Sequence, residues 1–124
     1  MPLGKQIGSY ESKSTSIKVV SVSDEDVVEV TYEGTTTGDL AGPWVGTATY
    51  CGSDEEGEVH FAGIGWPEPS GERVKFEGSG LYKRSGANRW QTRVALRAST
   101  GEQLVSEGQV DHTSRSWVGA WIAR

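Results

Sequence analysis

The chain has 124 residues, enough for one domain with one hydrophobic core and too few for two. A formal net charge of −5 argues against a nucleic acid or an anionic membrane surface as partner, and a single cysteine, Cys51, excludes an internal disulfide. Hydrophobic residues make up only 35% of the chain and Gly reaches 17 residues, so a thin sheet around a small interior fits better than a thick aliphatic core.

Residues 1–15 are polar and carry Gly, Ser and Lys without periodicity, which predicts a flexible arm. The start of the chain has no apolar run of signal-peptide length, and no stretch approaches the ~20 apolar residues of a membrane span. A soluble, cytoplasmic protein is expected. Ordered structure is expected over residues 16–124, beginning with strands at 17–22 and 27–33 joined by Ser23-Asp24-Glu25-Asp26, whose side chains favour a turn. Residues 34–42, rich in Thr and Gly, read as a loop or a ragged edge. Further strands are predicted at 44–51, 58–66, 73–84, 89–98, 103–112 and 116–123, which makes eight.

Glycines punctuate the second half of the chain at Gly57, Gly71, Gly86 and Gly101, at spacings of 14, 15 and 15 residues. Each sits in a polar cluster where positive φ can reverse the chain. Strands that reverse at so regular a spacing pair with their sequence neighbours, and such a sheet curls and closes. The predicted fold is a single all-β, antiparallel up-and-down β-barrel of about eight strands. No apolar pattern of helical period runs over three turns, so no long helix is predicted.

Alternation assigns the faces, because successive strand side chains point to opposite sides. Trp44, Tyr50, Phe76, Tyr82, Trp90, Leu96, Val110, Trp117 and Trp121 fall on the inner face, interleaved with Gly46, Gly78, Gly80, Gly108 and Gly119. The outer face carries Arg73, Lys75 and Glu77, then Arg89, Arg93 and Arg97, then Glu107. This arrangement reads as a cross-strand charge ladder rather than a nucleic-acid stripe, since Glu77 and Glu107 flank the arginine row. Residues 58–66 are ambiguous, with Val59 and Phe61 on one face and Ala62, Ile64 and Trp66 on the other. Cover from outside the barrel is expected there, by the N-terminal arm or, in preference, by a second copy in a dimer.

Most catalytic schemes find no support in the residues. Cys51 is surrounded by Asp54, Glu55, Glu56 and Glu58, which disfavour a thiolate. Two histidines, His60 and His112, with no Cys/His cluster give no metal site, and neither a nucleophile elbow nor a phosphate loop is present. General acid–base chemistry is different, because His112 at a strand end and Tyr50 and Tyr82 on inner faces are candidate proton donors or acceptors. Trp44, Phe76, Trp90, Leu96, Trp117 and Trp121 are candidates for lining a substrate cavity, since bulky aromatics separated by glycines leave shaped space. The same residues read equally as a packed core in which glycine relieves crowding.

The run Thr36-Thr37-Gly38-Asp39-Leu40-Ala41-Gly42, followed by Gly46-Thr47-Ala48-Thr49-Tyr50 and by Gly57-Glu58-Val59-His60-Phe61-Ala62-Gly63, resembles the opening strands of small bacterial barrels with the allene-oxide-cyclase-like fold. That class also resembles dirigent proteins and the spirocyclase barrels of polyketide pathways. The resemblance implies a cyclase or isomerase that needs no cofactor and guides a small apolar, polyketide- or terpenoid-like substrate by shape. It carries no catalytic residue across, because the pattern past Gly63 is not matched. Lipocalin-like calycins are a competing resemblance, echoed by Gly42-Pro43-Trp44, and a non-catalytic carrier of a hydrophobic ligand is the alternative function.

Overall fold

Period-two alternation between polar reversals builds a sheet that meets itself. Of the four glycines expected at positive φ, Gly71 and Gly101 adopt it, at 66° and 97°, whereas Gly57 and Gly86 lie within strands, and Asn88, at 57°, takes the left-handed position after Gly86. The computed structural model describes residues 4–124 and shows a closed barrel in which each strand pairs antiparallel with its sequence neighbours. The strands are β1 (Gln6–Val22), β2 (Asp26–Thr36), β3 (Gly42–Gly52), β4 (Glu56–Gly65), β5 (Val74–Gly86), β6 (Arg89–Ala98), β7 (Gln103–Asp111) and β8 (Ser116–Ala123), with one 3-10 turn at Gly38–Leu40. Hairpin turns β1–β2, β3–β4, β5–β6 and β7–β8 gather at one end, here called the mouth. The chain termini and the other turns gather at the far end.

The principal correction concerns the N-terminus. Residues 1–3 of the expected arm lie outside the described residues, but Gln6 onward is strand: Gln6 to Lys13 pairs with β8 and closes the barrel, with Tyr10 opposite Gly119 and Lys13 opposite Ser116. Tyr10 and Ser12 point inward and are buried, and the Ser12 hydroxyl donates to the Trp117 carbonyl at 2.8 Å. The segment reads as polar because Glu11 and Lys13 face outward and are exposed, while the inward Ser12 is satisfied by the Trp117 carbonyl. Gly108 and Gly119 make that packing possible, since a Cβ at either would overlap the Tyr10 hydroxyl. Bulges between Ser14 and Ser16 and between Val19 and Ser21 add a residue each, which breaks the alternation along β1 while keeping Ile17 opposite Val30 and Val19 opposite Val28. Gly34 to Thr36, expected as loop, completes β2.

The far half of the lumen is solid. Trp117, 2% exposed, packs with ring centroids 5.6 Å from Tyr10, 5.1 Å from Tyr32, 5.4 Å from Phe61 and 6.2 Å from Trp44. Its indole N–H donates to the Thr92 hydroxyl at 3.0 Å, and the Tyr10 and Ser106 hydroxyls are 2.6 Å apart. Trp121 stacks on Phe76 at 6.3 Å. Beside Trp44 and Trp121, whose own indole N–H groups have no hydrogen-bond partner among the described residues, a void of about 20 Å³ has room for one water. Trp66 lies just past the end of β4 and lines the same void, so it is half-buried by its own chain rather than presented on the outer wall.

Outside, Arg93 faces Glu107 at 3.6 Å and Glu77 sits opposite Arg97 in register, the mixed ladder that the alternation predicts. The larger exposed apolar surface lies not on β4 but on β1, where Val19 and Val22 are 61% and 70% exposed. Among the described residues no helix is long and apolar enough to cross a membrane.

Candidate functional site

Strand pairing between β1 and β8 stops at Lys13–Ser116, and one further backbone bond joins Ser14 to the Arg115 carbonyl at 2.8 Å. Beyond it the two strands part. An open cavity of about 200 Å³ lies against that parting, between Ile17 on β1 and the β7–β8 turn, where Arg115 adopts a left-handed φ of 55°. Val28 and Val30 of β2 and Val110 of β7 form apolar walls, each projecting inward by strand parity. Tyr32, where β2 descends into the packed cluster, closes the bottom.

Three aromatic side chains complete the lining, and the polar ends of two of them are tied to the wall. The Tyr82 hydroxyl donates to the Ser53 carbonyl at 2.6 Å, and the Trp90 indole N–H donates to the Asp54 carbonyl at 2.6 Å. Both bonds end on the β3–β4 turn, which Arg84 holds from outside through Asp54 at 3.0 Å and Glu55 at 3.2 Å. The Tyr50 ring meets Tyr82 edge-to-face at 5.7 Å, and its hydroxyl lies 2.9 Å from that of Tyr32. One phenol of that pair donates to the other, which leaves the second proton free to point at a ligand.

Burial pushes the Tyr32 phenol up to about 12, and burial followed by the neighbouring Tyr32 drives Tyr50 well above its ordinary range. Tyr82 is raised as well, first by burial and then by Asp26 and other acidic neighbours. The cavity therefore presents neutral phenols, hydrogen-bond donors that carry no charge at neutral pH. Cys51, on β3 outside the lumen, has its thiol raised by burial and by Glu25 and Glu58, which suits an unreactive side chain.

The residues expected to form the site divide between the two halves of the lumen. Tyr50, Tyr82, Trp90 and His112 line the cavity, with His112 exposed at the rim. Trp44, Phe76, Leu96, Trp117 and Trp121 do not; they belong to the far-end core, where aromatic rings fill the space that the inward glycines open. For those five residues the packed-core alternative holds. Val28, Val30 and Tyr32 share the inner parity of β2 and join the lining, and Asp26 continues the same parity to the rim. Arg115 had no signal in the sequence, since its position depends on a turn conformation.

No protein-family model matches this chain, and no curated protein and no solved structure matches it significantly.

Proposed function

We propose that the protein binds a small, largely apolar molecule in the mouth cavity. The observation that carries this reading is the division of the lumen: one half is packed solid, while the other keeps an apolar space whose walls are braced by hydrogen bonds to the β3–β4 turn. The size sets a bound, because a cavity of about 150 Å³ lined by apolar side chains holds one benzene ring. At about 200 Å³ the space takes one ring with a short substituent. The Tyr32–Tyr50 pair offers a hydroxyl to an oxygen or nitrogen acceptor on that ligand. Titration with single-ring alcohols and ketones, followed by intrinsic Trp fluorescence, tests the reading. Saturable one-to-one binding is expected in the parent and its loss in Val110→Trp, which fills the space from a wall position. Failure of the parent to bind, or unchanged binding in Val110→Trp, overturns it.

A cofactor-independent cyclase or isomerase is the second reading, and the neutral phenol pair is what favours it. A phenol held in an apolar site can donate to an oxygen that gains negative charge, a contribution of roughly 10²–10⁴-fold. Tyr50 is the donor in this reading, since the Tyr82 hydroxyl is engaged by the Ser53 carbonyl and His112 is exposed at the rim. Tyr50→Phe then lowers turnover and leaves binding within a few-fold, whereas in a carrier it changes affinity alone.

A further inference from the structure

We infer that the ligand of the mouth cavity is an alkyl amphiphile longer than the cavity itself: its oxygen-bearing head sits at the bottom, and its tail leaves along the inner face of the β1–β2 hairpin. The inference rests on the binding reading above and adds the ligand's length and orientation.

The hairpin continues the cavity wall past the rim. Residues directly opposite in an antiparallel pair share a face. Ile17 pairs with Val30, Val19 with Val28 and Val22 with Asp26, and all three partners line the cavity, so Ile17, Val19 and Val22 turn to the cavity side. The two bulges of β1 bring this about. Straight alternation from Ser12 would put Ser16 and Lys18 on that face; the bulge between Ser14 and Ser16 puts Ile17 and Val19 there instead, and the bulge between Val19 and Ser21 replaces Ser21 with Val22. Exposure along the strip climbs from 43% at Ile17 to 61% at Val19 and 70% at Val22. Beyond Ser14, β1 pairs with no strand on its β8 side, so among the described residues the strip lies open toward the parting. An apolar strip continuous with an apolar cavity is surface for the same ligand.

The bottom of the cavity fixes the head. Tyr32 is 2% exposed, and the Tyr32–Tyr50 hydroxyl pair uses one of its two protons internally. The other has no acceptor among the described residues, and a ligand oxygen supplies one. Length follows from volume. A cavity of about 150 Å³ holds the six carbons of benzene, so about 200 Å³ takes roughly eight. A longer chain with its head at Tyr32 must cross the rim, where the strip meets it on one side and water on the other.

The test titrates hexan-1-ol, octan-1-ol and decan-1-ol against intrinsic Trp fluorescence. Each methylene buried in the cavity strengthens binding about fourfold, so octanol should bind roughly tenfold or more tighter than hexanol. The last two methylenes of decanol meet one wall only, and a further gain of about fourfold is expected. The double variant Val19→Thr/Val22→Thr keeps the β-branched shape; it should abolish decanol's gain over octanol and leave hexanol within about twofold of the parent. Val118→Thr, at an exposed position on the outer wall of β8, should keep the gain. No gain from octanol to decanol in the parent, a gain that survives in the double variant, or loss of hexanol binding with it overturns the inference while the binding reading stands. A ligand-free parent that sediments as a dimer, dissociated by the double substitution, assigns the strip to a second copy and overturns it too. Absence of binding by all three alcohols overturns both readings.

Discussion

Replacing Trp117 with Ala should unfold or nearly unfold the barrel, whereas replacing Trp90 should leave it folded, although alternation puts both indoles on the inner face. Trp117 is 2% exposed and sits among four aromatic rings, so its removal opens a void that no neighbouring side chain can fill. Truncating a buried Trp costs about 3–5 kcal/mol. The lost bond to Thr92, whose hydroxyl is then left buried, adds about 1–3 kcal/mol. A total of roughly 4–8 kcal/mol is comparable with the entire stability of a domain, about 5–15 kcal/mol. Trp90 is half-buried, and its one hydrogen bond lies at an exposed turn, so its loss costs about 1–2 kcal/mol. Urea unfolding followed by far-UV circular dichroism separates the two. With a slope of about 1–3 kcal/mol per molar urea, Trp117→Ala should lose about 0.7 molar of midpoint or more beyond Trp90→Ala, or show no folded baseline. Equal midpoints would refute the division of the lumen into a packed half and an open half.

Raising the pH should unfold the protein before its tyrosines titrate individually. The Tyr32 phenol is pushed from 10.0 up to about 12, so the unfolded chain loses its proton first; the stabilisation is full below pH 10 and drains away between there and about pH 12. Tyrosinate absorbance should rise together with loss of the circular dichroism signal, and ionisation near pH 10 with the barrel intact would contradict the burial. Gly108→Ala should destabilise by about 1–3 kcal/mol, because the new methyl meets the Tyr10 hydroxyl, and Tyr10→Phe in the same chain should recover part of the loss in thermal melts. On the open edge of β1 beyond Lys13, Lys18 interrupts Ile17, Val19 and Val20, and Lys18→Val should increase concentration-dependent association in sedimentation velocity, since a charged residue is what keeps such an edge from pairing.

The barrel was legible because its signals are local and repeat. Polar turn clusters and period-two alternation over β3 to β8 dictate neighbour pairing, and neighbour pairing dictates closure. What closes the barrel was not legible, because Gln6 to Ser14 owes its strand conformation to β8, more than a hundred residues away, and carries no alternation of its own. Its one large inward residue, Tyr10, is recognisable only once Gly108 and Gly119 are seen to face it. The two bulges hide the remaining pattern, since each extra residue reverses the parity that identifies a face.

The candidate site was half legible for a related reason. Parity states that a side chain points inward but not at what depth, and depth decides whether an inward Trp is core or lining. Register does not supply that coordinate, since Trp117 and Trp90 both pair with Val110; the direction of the side chain does, because Trp117 leans toward Tyr32 and Phe61 whereas Trp90 reaches the β3–β4 turn at the rim. The half of the lumen packed with rings supplies the rigidity, and the half that keeps a space has its lining tied down by bonds from Tyr82 and Trp90 to one turn. The proposed binding and the stability thus fall to different residues. Val110→Trp should therefore remove ligand binding without lowering the urea midpoint by more than about 1 kcal/mol-equivalent, since it adds apolar contacts to an open space rather than overfilling a closed one.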